Sequence, residues 1–170
     1  MTLHVETTGA GPDVVLLHGW SMHGGVWNGL ARALAPHCRV HAVDLPGYGA
    51  SPACTPYALE RIASELASLM PQRCAVCGWS LGGQVALVWA RDAPSQVKQL
   101  ALIATTPCFA RRDDWPHAVE ARVLHEFAEA LAADHDGTLQ RFLALQTLGD
   151  AHAGPVNRRL RRSKLGSRRP

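Results

Sequence analysis

Ser80 lies between two glycines in the pattern Gly-x-Ser-x-Gly, at residues 78–82. An apolar run at residues 75–77 precedes this pattern, and a helix-like run at residues 84–91 follows it. A strand, a tight turn and a helix in this order form a nucleophile elbow, which exposes a strained serine at a helix N-terminus. The helix dipole there favours developing negative charge. The pattern predicts a nucleophilic serine; the alternative is an ordinary strand–helix turn, because glycine and serine are common residues.

A second segment with chemical potential is Leu-Leu-His-Gly-Trp-Ser at residues 16–21, where a predicted strand enters a loop. A backbone N–H after this strand can point to the same place as the N–H of Leu81. Two such donors form an oxyanion hole, which stabilises charge that develops only in the transition state. We predict that the donors are the amides of Trp20 and Leu81. His18 is adjacent to the predicted oxyanion hole, so it is a candidate for the catalytic base. Its position is better suited to holding the loop.

The segment Asp-Leu-Pro-Gly-Tyr-Gly at residues 44–49 follows the third predicted strand. Its proline and two glycines predict a tight loop. We expect Asp44 to accept hydrogen bonds from amides of that loop. A direct chemical role for this carboxylate is the less favoured alternative.

Composition and cysteine usage limit the possible classes of protein. The chain has 170 residues, of which 47% are hydrophobic, so it is long enough for one domain with a substantial core. No apolar run reaches the ~18 residues of a membrane span, and residues 1–13 lack the pattern of a signal peptide. Five scattered cysteines predict reduced thiols and a cytoplasmic protein. A lone C-x-x-C at residues 74–77 lies in a predicted strand, so we expect no metal and no cofactor.

The net charge of +3 is concentrated in one segment. Residues 157–170 hold seven of the 17 basic residues and no acidic one, which leaves 10 basic and 14 acidic residues elsewhere, a net charge of −4. A basic tail could bind nucleic acid or an acidic surface. The favoured interpretation is an aberrant end such as out-of-frame translation, because the tail follows a globular pattern that stops abruptly.

Strand-like and helix-like runs alternate through the first two thirds of the chain, a pattern typical of βαβ units and a mainly parallel sheet. The first run is expected to form an antiparallel edge strand. The predicted strands are residues 3–7, 14–17, 39–43, 73–77 and 99–103. The predicted helices between them are residues 26–35, 57–70 and 81–91.

The pattern turns helical after Pro116, and residues 115–149 are predicted to form a lid of two helices separated at Asp136-Gly137. The predicted organisation is an α/β core over residues 1–110, a helical lid over residues 111–150 and an atypical tail over residues 151–170.

These motifs, in this order and spacing, resemble the α/β-hydrolase superfamily. More narrowly, the chain resembles the methyl ester esterases that act on pimeloyl-acyl-carrier protein in biotin synthesis. The resemblance covers about residues 3–155 and is most specific in the lid. The segments that carry it are residues 17–20, 43–49, 78–83, 107–109, 114–116 and 141–149.

The resemblance implies that Ser80 is the nucleophile and that Trp20 and Leu81 bound the oxyanion site. It implies an acyl pocket lined by Phe142, Leu143, Ala144, Leu145 and Gln146, although core packing of the lid helix is an alternative for Phe142 and Leu145. The implied partners are an acyl-carrier protein bearing the substrate and small esters, with no nucleic acid and no membrane, and the complete protein is expected to be a monomer. Four arginines are candidates for docking the acidic carrier, with an ordinary solvated charge as the favoured alternative for any one of them: Arg111, Arg112, Arg122 and Arg141.

Members of this superfamily carry a catalytic acid and histidine on loops after later strands, and we assign neither residue here. The chain is therefore expected to be a C-terminally truncated α/β-hydrolase that lacks the last third of the usual fold. His152 follows the lid and Asp150 belongs to its hinge. Two alternatives stay open: another small-ester hydrolase with the same core, and a fragment without turnover.

Overall fold

The computed structural model describes residues 2–149 together with Ala151 and Gly154. The chain divides into two compact units, the first ending at Thr105 and the second beginning at Thr106. Apart from Ala151 and Gly154, the predicted tail over residues 151–170 lies outside the described residues, as does Asp150, so the predictions that concern the tail, Asp150 and His152 stay predictions.

The first unit is built on a five-stranded sheet in the order β1-β3-β2-β4-β5. Strand β1 pairs with β3 in antiparallel orientation, and all the other pairs are parallel. The predicted mainly parallel α/β sheet with an antiparallel edge strand is therefore confirmed. The strands are β1 (Val5–Thr8), β2 (Asp13–Leu17), β3 (Arg39–Val43), β4 (Cys74–Trp79) and β5 (Val97–Ile103).

Three helices connect the strands: α1 (Asn28–Leu34), α2 (Leu59–Leu69) and α3 (Leu81–Asp92). A 3-10 helix, Gly24–Trp27, precedes α1, so the predicted helix at residues 26–35 begins in a tighter turn than expected. Helix α2 is shorter than predicted because Tyr57 and Ala58 are not helical, and Ala58 lies in the β region as its N-cap.

The helices cover the two faces of the sheet, because side chains alternate between faces along each strand. One core cluster joins residues of α2 and α3, including Ile62, Leu66 and the fully buried Trp89, to Val15 and Leu17 of β2. A smaller cluster joins Trp27 and Ala31 to residues of β2 and β3 on the other face: Leu16, Val40 and Ala42.

The exposed end of the sheet is β5. Residues 98–103 are all exposed, and Leu100, Leu102 and Ile103 keep 37–44% of their surface accessible. Among the described strands, β5 pairs with β4 alone.

The second unit contains α4 (Ala121–Ala133) and α5 (His135–Leu145). The prediction that Asp136-Gly137 separates the two helices is wrong. The break lies at Asp134, whose side-chain Oδ1 accepts a hydrogen bond from the Gly137 N–H at 2.9 Å and so caps α5. An N-cap carboxylate satisfies an orphan amide of the first turn, which places Asp136 and Gly137 inside the helix.

Residues 110–119 of the second unit are not helical, in contrast to the prediction of a lid that is helical from residue 115. Isolated bridges connect Ala110 with Val119 and Arg112 with Trp115. In the part of the chain that the structure describes, no helix is long and apolar enough to cross a membrane.

Candidate active site

Ser80 lies at the turn between β4 and α3 with φ 52° and ψ −115°, a backbone conformation that non-glycine residues rarely adopt. Surrounding hydrogen bonds fix this conformation. The Ser80 N–H donates to the Ile103 carbonyl at 2.9 Å, and the Ser80 carbonyl accepts from the Gly83 N–H at 2.9 Å and from the Thr105 hydroxyl at 3.2 Å. The predicted strand–turn–helix arrangement is therefore present, with the serine at the N-terminus of a 12-residue helix.

Small residues let α3 approach the sheet at this turn. A Cβ on Gly82 would lie 2.4 Å from the Leu17 carbonyl oxygen and 2.6 Å from that of His18, distances that no side chain can adopt without moving the backbone. The glycines of the Gly-x-Ser-x-Gly pattern are thus required by packing around the serine.

The loop after β2, residues 18–24, is called the β2 loop below, and it lies beside Ser80. A Cβ built on Gly19 would lie 3.4 Å from the Cβ of Ser80 and 3.3 Å from the ring of Trp79. This approach brings the peptide that follows Gly19, which carries the Trp20 amide, to the side of the serine. The Leu81 amide belongs to the first residue of α3, directly after the serine.

His18 is fully buried at the start of the β2 loop, and both of its ring nitrogens are occupied. Nδ1 lies 2.8 Å from the Gly19 carbonyl, which can only accept, so Nδ1 carries the proton. Nε2 then accepts from the Leu45 N–H at 2.9 Å. Burial lowers the pKa of His18 to about 4, and the hydrogen bond to Gly19 and the charge of Asp44 offset this effect only in part. His18 is therefore a neutral residue that holds the loop.

The loop after β3, residues 44–51, is called the β3 loop below and is organised by Asp44. Its carboxylate accepts from the Gly24 N–H at 2.6 Å and from the Ala50 N–H at 2.8 Å, as the sequence predicted for a residue that satisfies loop amides. The Ser51 hydroxyl donates to the Asp44 carbonyl at 2.6 Å and accepts from the His4 N–H at 2.8 Å. Asp44 is 5% exposed, so these bonds are shielded from water.

Tyr48 of the β3 loop packs against the β2 loop through its ring. Its ring meets the ring of His18 edge-on, with centroids 5.3 Å apart and planes at 80°. Burial raises the pKa of Tyr48, and a hydrogen bond with the Ser21 backbone lowers it in part. Sequence reasoning did not identify Tyr48, because nothing local in the sequence links it to Ser21.

A histidine–carboxylate pair exists among the described residues, but it lies away from Ser80. His41 Nε2 is 2.8 Å from Asp13 Oδ1, and His41 Nδ1 is 3.1 Å from the Thr7 hydroxyl. His41 of β3 pairs in register with Val15 of β2, and Val15 pairs in turn with Val76 of β4. Val76 is four residues before Ser80. At about 3.3 Å per residue, the pair lies about 13 Å or more from the elbow along the strand direction. No catalytic acid or base is assigned among the described residues.

The residues predicted to line an acyl pocket all fall in or next to α5. Leu143 is 1% exposed and Leu145 is 65% exposed. Because a helix turns by 100° per residue, five consecutive residues cannot share one face, whereas Phe142 and Gln146 are four residues apart and do. The Phe142 ring also packs against that of Phe127 of α4, with centroids 5.8 Å apart.

Each arginine proposed for carrier docking forms an ion pair with an acid of the second unit. Arg111 pairs with Glu120, Arg112 with Asp114 and Arg122 with Glu126. Arg141 donates to the Thr138 hydroxyl at 2.7 Å and lies 3.7 Å from Asp134 Oδ2. Their positive potential is therefore reduced locally, a feature that the sequence analysis did not include.

All five cysteines are free thiols. Among residues 2–149, 151 and 154 no group of three or more histidine, cysteine, aspartate or glutamate side chains is arranged to hold a metal ion.

Comparison with known proteins gives consistent results. Residues 12–151 match the family described as alpha/beta hydrolase fold. The chain is 50% identical over 169 residues to a pimeloyl-(acyl-carrier protein) methyl ester esterase of Nitrosomonas europaea, covering 99% of this chain and 67% of the relative. It is 51% identical over 160 residues to the protein of the same name from Xanthomonas campestris pv. campestris, covering 94% and 62%.

Among solved structures, an esterase from Exiguobacterium antarcticum superposes with a TM-score of 0.87 at 26% identity, covering 97% of this chain and 64% of the other. The chain spans about two thirds of the length of the curated relatives that it matches.

Proposed function

The chain belongs to the alpha/beta hydrolase fold family, and from this premise we propose that it carries the nucleophile and the oxyanion site of a serine carboxylesterase. The proposed substrate is the methyl ester of pimeloyl-acyl-carrier protein. The observation that carries the proposal is the strained Ser80 at the N-terminus of α3 with the Gly19–Trp20 peptide beside it.

The proposed reaction begins with attack of the Ser80 hydroxyl on the ester carbonyl carbon, as a base removes the hydroxyl proton. The carbonyl oxygen becomes an oxyanion, which the amides of Trp20 and Leu81 stabilise by hydrogen bonds. The tetrahedral intermediate collapses to an acyl-enzyme, and the methoxy group takes up a proton and leaves as methanol. Water then attacks the acyl-enzyme and releases the free carboxylate and Ser80.

The substrate proposal rests on the relatives. Several curated relatives at 44–51% identity bear the same pimeloyl-carrier esterase name. In this proposal, residues 142–146 contact the acyl chain of the substrate. Phe142 and Gln146 do so from the same face, because they are four residues apart. The proposed partner is the acyl-carrier protein that bears the ester, docked by the arginines at 111, 112, 122 and 141. The free cysteines support a cytoplasmic location.

Labelling with a fluorophosphonate probe tests the nucleophile. In a hybrid that joins this chain to the C-terminal third of the Nitrosomonas europaea relative, Ser80 is expected to be the labelled serine, and Ser80→Ala should abolish labelling without loss of the folded state. Ser68→Ala is the matched control, because Ser68 is an exposed serine of α2 whose hydroxyl donates to the backbone of its own helix. Labelling of the Ser80→Ala variant equal to that of the wild type would overturn the assignment.

Turnover is tested with a hybrid in which this chain is joined to the C-terminal third of the Nitrosomonas europaea relative. The 170-residue chain should hydrolyse short p-nitrophenyl esters very slowly, because no base is assigned to Ser80 among its described residues. The hybrid should hydrolyse the methyl ester of pimeloyl-acyl-carrier protein, and Ser80→Ala should lower kcat by several orders of magnitude. Activity of the 170-residue chain within about tenfold of the hybrid would show that a base has been missed.

A further inference from the structure

The segment that follows β5 turns back and places the Thr105 side chain against the elbow. Ala104 makes this turn with φ 44°, in the left-handed region that side-chain-bearing residues rarely occupy. Thr105 then lies beside the first turn of α3, since a Cβ on Gly83 would lie 2.7 Å from the Thr105 Cγ2 and 2.8 Å from its Cβ. The glycine at position 83 therefore leaves the space that Thr105 fills.

The Thr105 hydroxyl lies within hydrogen-bond distance of two carbonyl oxygens, 3.2 Å from that of Ser80 and 3.0 Å from that of Ile103. Because a carbonyl oxygen can only accept, the single hydroxyl proton is directed towards these two oxygens. The Ile103 carbonyl also accepts from the Ser80 N–H at 2.9 Å. The N–H and the carbonyl of Ser80 are thus both connected to the end of β5, the first directly and the second through Thr105.

This arrangement of Ser80, Ile103 and Thr105, called the elbow clamp below, constrains the Ser80 backbone. Only the torsion angles φ and ψ separate the N–H of a residue from its own carbonyl. With both groups connected to the end of β5, rotation about either angle would stretch one of the connections. The elbow clamp therefore holds φ 52° and ψ −115°, a conformation that persists only where its surroundings enforce it.

The elbow clamp also sets the direction of the Leu81 amide. The Ser80 carbonyl and the Leu81 N–H belong to one planar trans peptide group, so they point in opposite directions. Leu81 is the first residue of α3, so its N–H has no acceptor within the helix. The Gly83 and Gln84 amides also donate to the Ser80 carbonyl, at 2.9 and 3.2 Å, but they belong to α3 itself. Thr105 instead connects this peptide to the sheet.

The other peptide of the proposed oxyanion site is held from its carbonyl end in the same way. His18 Nδ1 donates to the Gly19 carbonyl at 2.8 Å, and that carbonyl belongs to the peptide that carries the Trp20 N–H. A side-chain donor thus engages the carbonyl of each peptide whose N–H is proposed to face the substrate.

We propose that Thr105 is a positioning residue, whose hydroxyl holds the Ser80–Leu81 peptide so that the Leu81 amide points to the oxyanion. This proposal deepens the proposed function and rests on it for the roles of Ser80 and the Leu81 amide. Thr105 does not touch the reacting atoms. Without its hydroxyl, the Ser80 carbonyl keeps its bond from Gly83 and the Ile103 carbonyl keeps its bond from Ser80, so the fold persists while the peptide can tilt.

The test is made in the hybrid with the C-terminal third of the Nitrosomonas europaea relative. Thr105→Val keeps the branched shape and removes the hydroxyl, whereas Thr105→Ser keeps the hydroxyl and removes the methyl group. Thr106→Val is the matched control, because the Thr106 hydroxyl donates to the Cys108 carbonyl at 3.0 Å. The first readout is the fluorophosphonate reaction at Ser80, resolved into probe affinity and maximal rate. The second is amide hydrogen exchange at Ser80, whose N–H belongs to the elbow clamp.

In Thr105→Val, the maximal labelling rate should fall about tenfold with unchanged probe affinity. This is less than the roughly 10²–10³ that loss of an oxyanion donor costs, because the Leu81 amide is misdirected and not removed. Amide exchange at Ser80 should be faster than in the wild type. Thr105→Ser and Thr106→Val should match the wild type in both readouts.

A labelling rate in Thr105→Val equal to that in Thr106→Val would overturn the proposal. A rate in Thr105→Ser as low as in Thr105→Val would also overturn it, because the methyl group and not the hydroxyl would then be responsible. Should Thr105→Val fail to fold, Thr105→Ala makes the same comparison with Thr105→Ser, since alanine places no branched side chain beside Gly83.

The two readouts separate this proposal from the proposed function. A wild-type hybrid that the probe does not label at Ser80 would contradict the proposed function, while amide exchange at Ser80 would still decide whether the Thr105 hydroxyl holds the elbow. Labelling of the wild type, together with an unchanged rate and unchanged exchange in Thr105→Val, would contradict the role of Thr105 alone.

Discussion

Ser80 and His18 are polar residues of one site, but the fold buries them to different extents. Ser80 is only partly buried and adopts a strained conformation at a helix N-terminus. His18 is completely buried and kept neutral, since Nδ1 must donate to Gly19 while Nε2 accepts from Leu45. Protonation of His18 would remove the acceptor on which the Leu45 amide depends, so the attachment of the β2 loop requires the neutral ring.

The stability of the folded chain should consequently depend on pH through His18. The pKa of His18 is about 4 in the folded chain and near 6.5 when unfolded. Between these values the unfolded chain binds more protons, so the stabilisation is fully present above pH 6.5 and is lost as the pH falls towards 4. Between pH 7 and pH 5, the titration of His18 should lower the free energy of unfolding by about 2 kcal/mol.

Urea denaturation at the two pH values measures this effect. His18→Gln keeps a donor and an acceptor but cannot titrate, so its stability should fall less than that of the wild type on acidification. His37→Gln removes an exposed histidine and should behave like the wild type. Equal losses in the wild type and in His18→Gln would contradict a buried neutral His18.

The roles of residues that depend on one short segment could be predicted from the sequence. Contacts between residues of different loops could not. The elbow around Ser80 was predicted because its strand, glycines and helix are contiguous. The amide-binding role of Asp44 was predicted from the turn residues around it. The hydrogen bond from the Leu45 N–H to His18 Nε2, between residues 27 positions apart, depends on the parallel register of β2 and β3, which a single sequence does not specify.

At the scale of elements, the alternation of strands and helices predicted the sheet because each apolar run is bounded by turn residues. The five predicted strands coincide with β1 to β5 to within two residues at either end. The boundary between α4 and α5 was misplaced because Asp134 and Asp136 are both plausible N-caps, and only the hydrogen bond from Gly137 identifies Asp134 as the cap.

Strand β5 gives rise to a prediction about self-association. An edge strand with exposed apolar side chains is a template for pairing with another chain. We expect the 170-residue chain to bind a hydrophobic dye and to associate at micromolar concentration, and Leu102→Lys to reduce both effects because a charge on an edge strand opposes pairing. Leu30→Lys is the matched control, since Leu30 of α1 is exposed to a similar extent, 39% against 43%.

Dye fluorescence and sedimentation measure these effects. A chain that melts sharply and cooperatively as a monomer without binding dye would contradict this interpretation of β5. Equal effects of the two lysine variants would show that the association does not involve β5.

At the scale of the whole molecule, net charge is a poor guide to a docking surface. The sequence charge of +3 depends on residues 157–170, which lie outside the described residues, and the remainder carries −4. An acidic carrier would therefore have to recognise a local basic surface. The exposed arginines of the second unit are the proposed surface, although each is paired with a nearby acid, which weakens the potential that it presents.

A substitution of Arg141 can distinguish a role in docking from a role in supporting α5. Arg141 directly precedes Phe142, and it also binds Thr138 of its own helix. In the hybrid, Arg141→Gln removes the charge and keeps a donor for the Thr138 hydroxyl. If Arg141 contacts the carrier, kcat/KM for the carrier-bound methyl ester should fall several-fold, while a small free ester should be hydrolysed at the wild-type rate. The difference should shrink at high salt, because electrostatic steering is screened.

Arg91→Gln is the matched control, because Arg91 of α3 is an exposed arginine that pairs with Asp92 and is not among the residues proposed for docking. Equal losses on the carrier-bound and free esters in Arg141→Gln would assign Arg141 to the support of α5, where Asp134 and Thr138 already engage it. A salt-sensitive loss confined to the carrier-bound ester, and larger in Arg141→Gln than in Arg91→Gln, would place the carrier at the α5 side of the second unit.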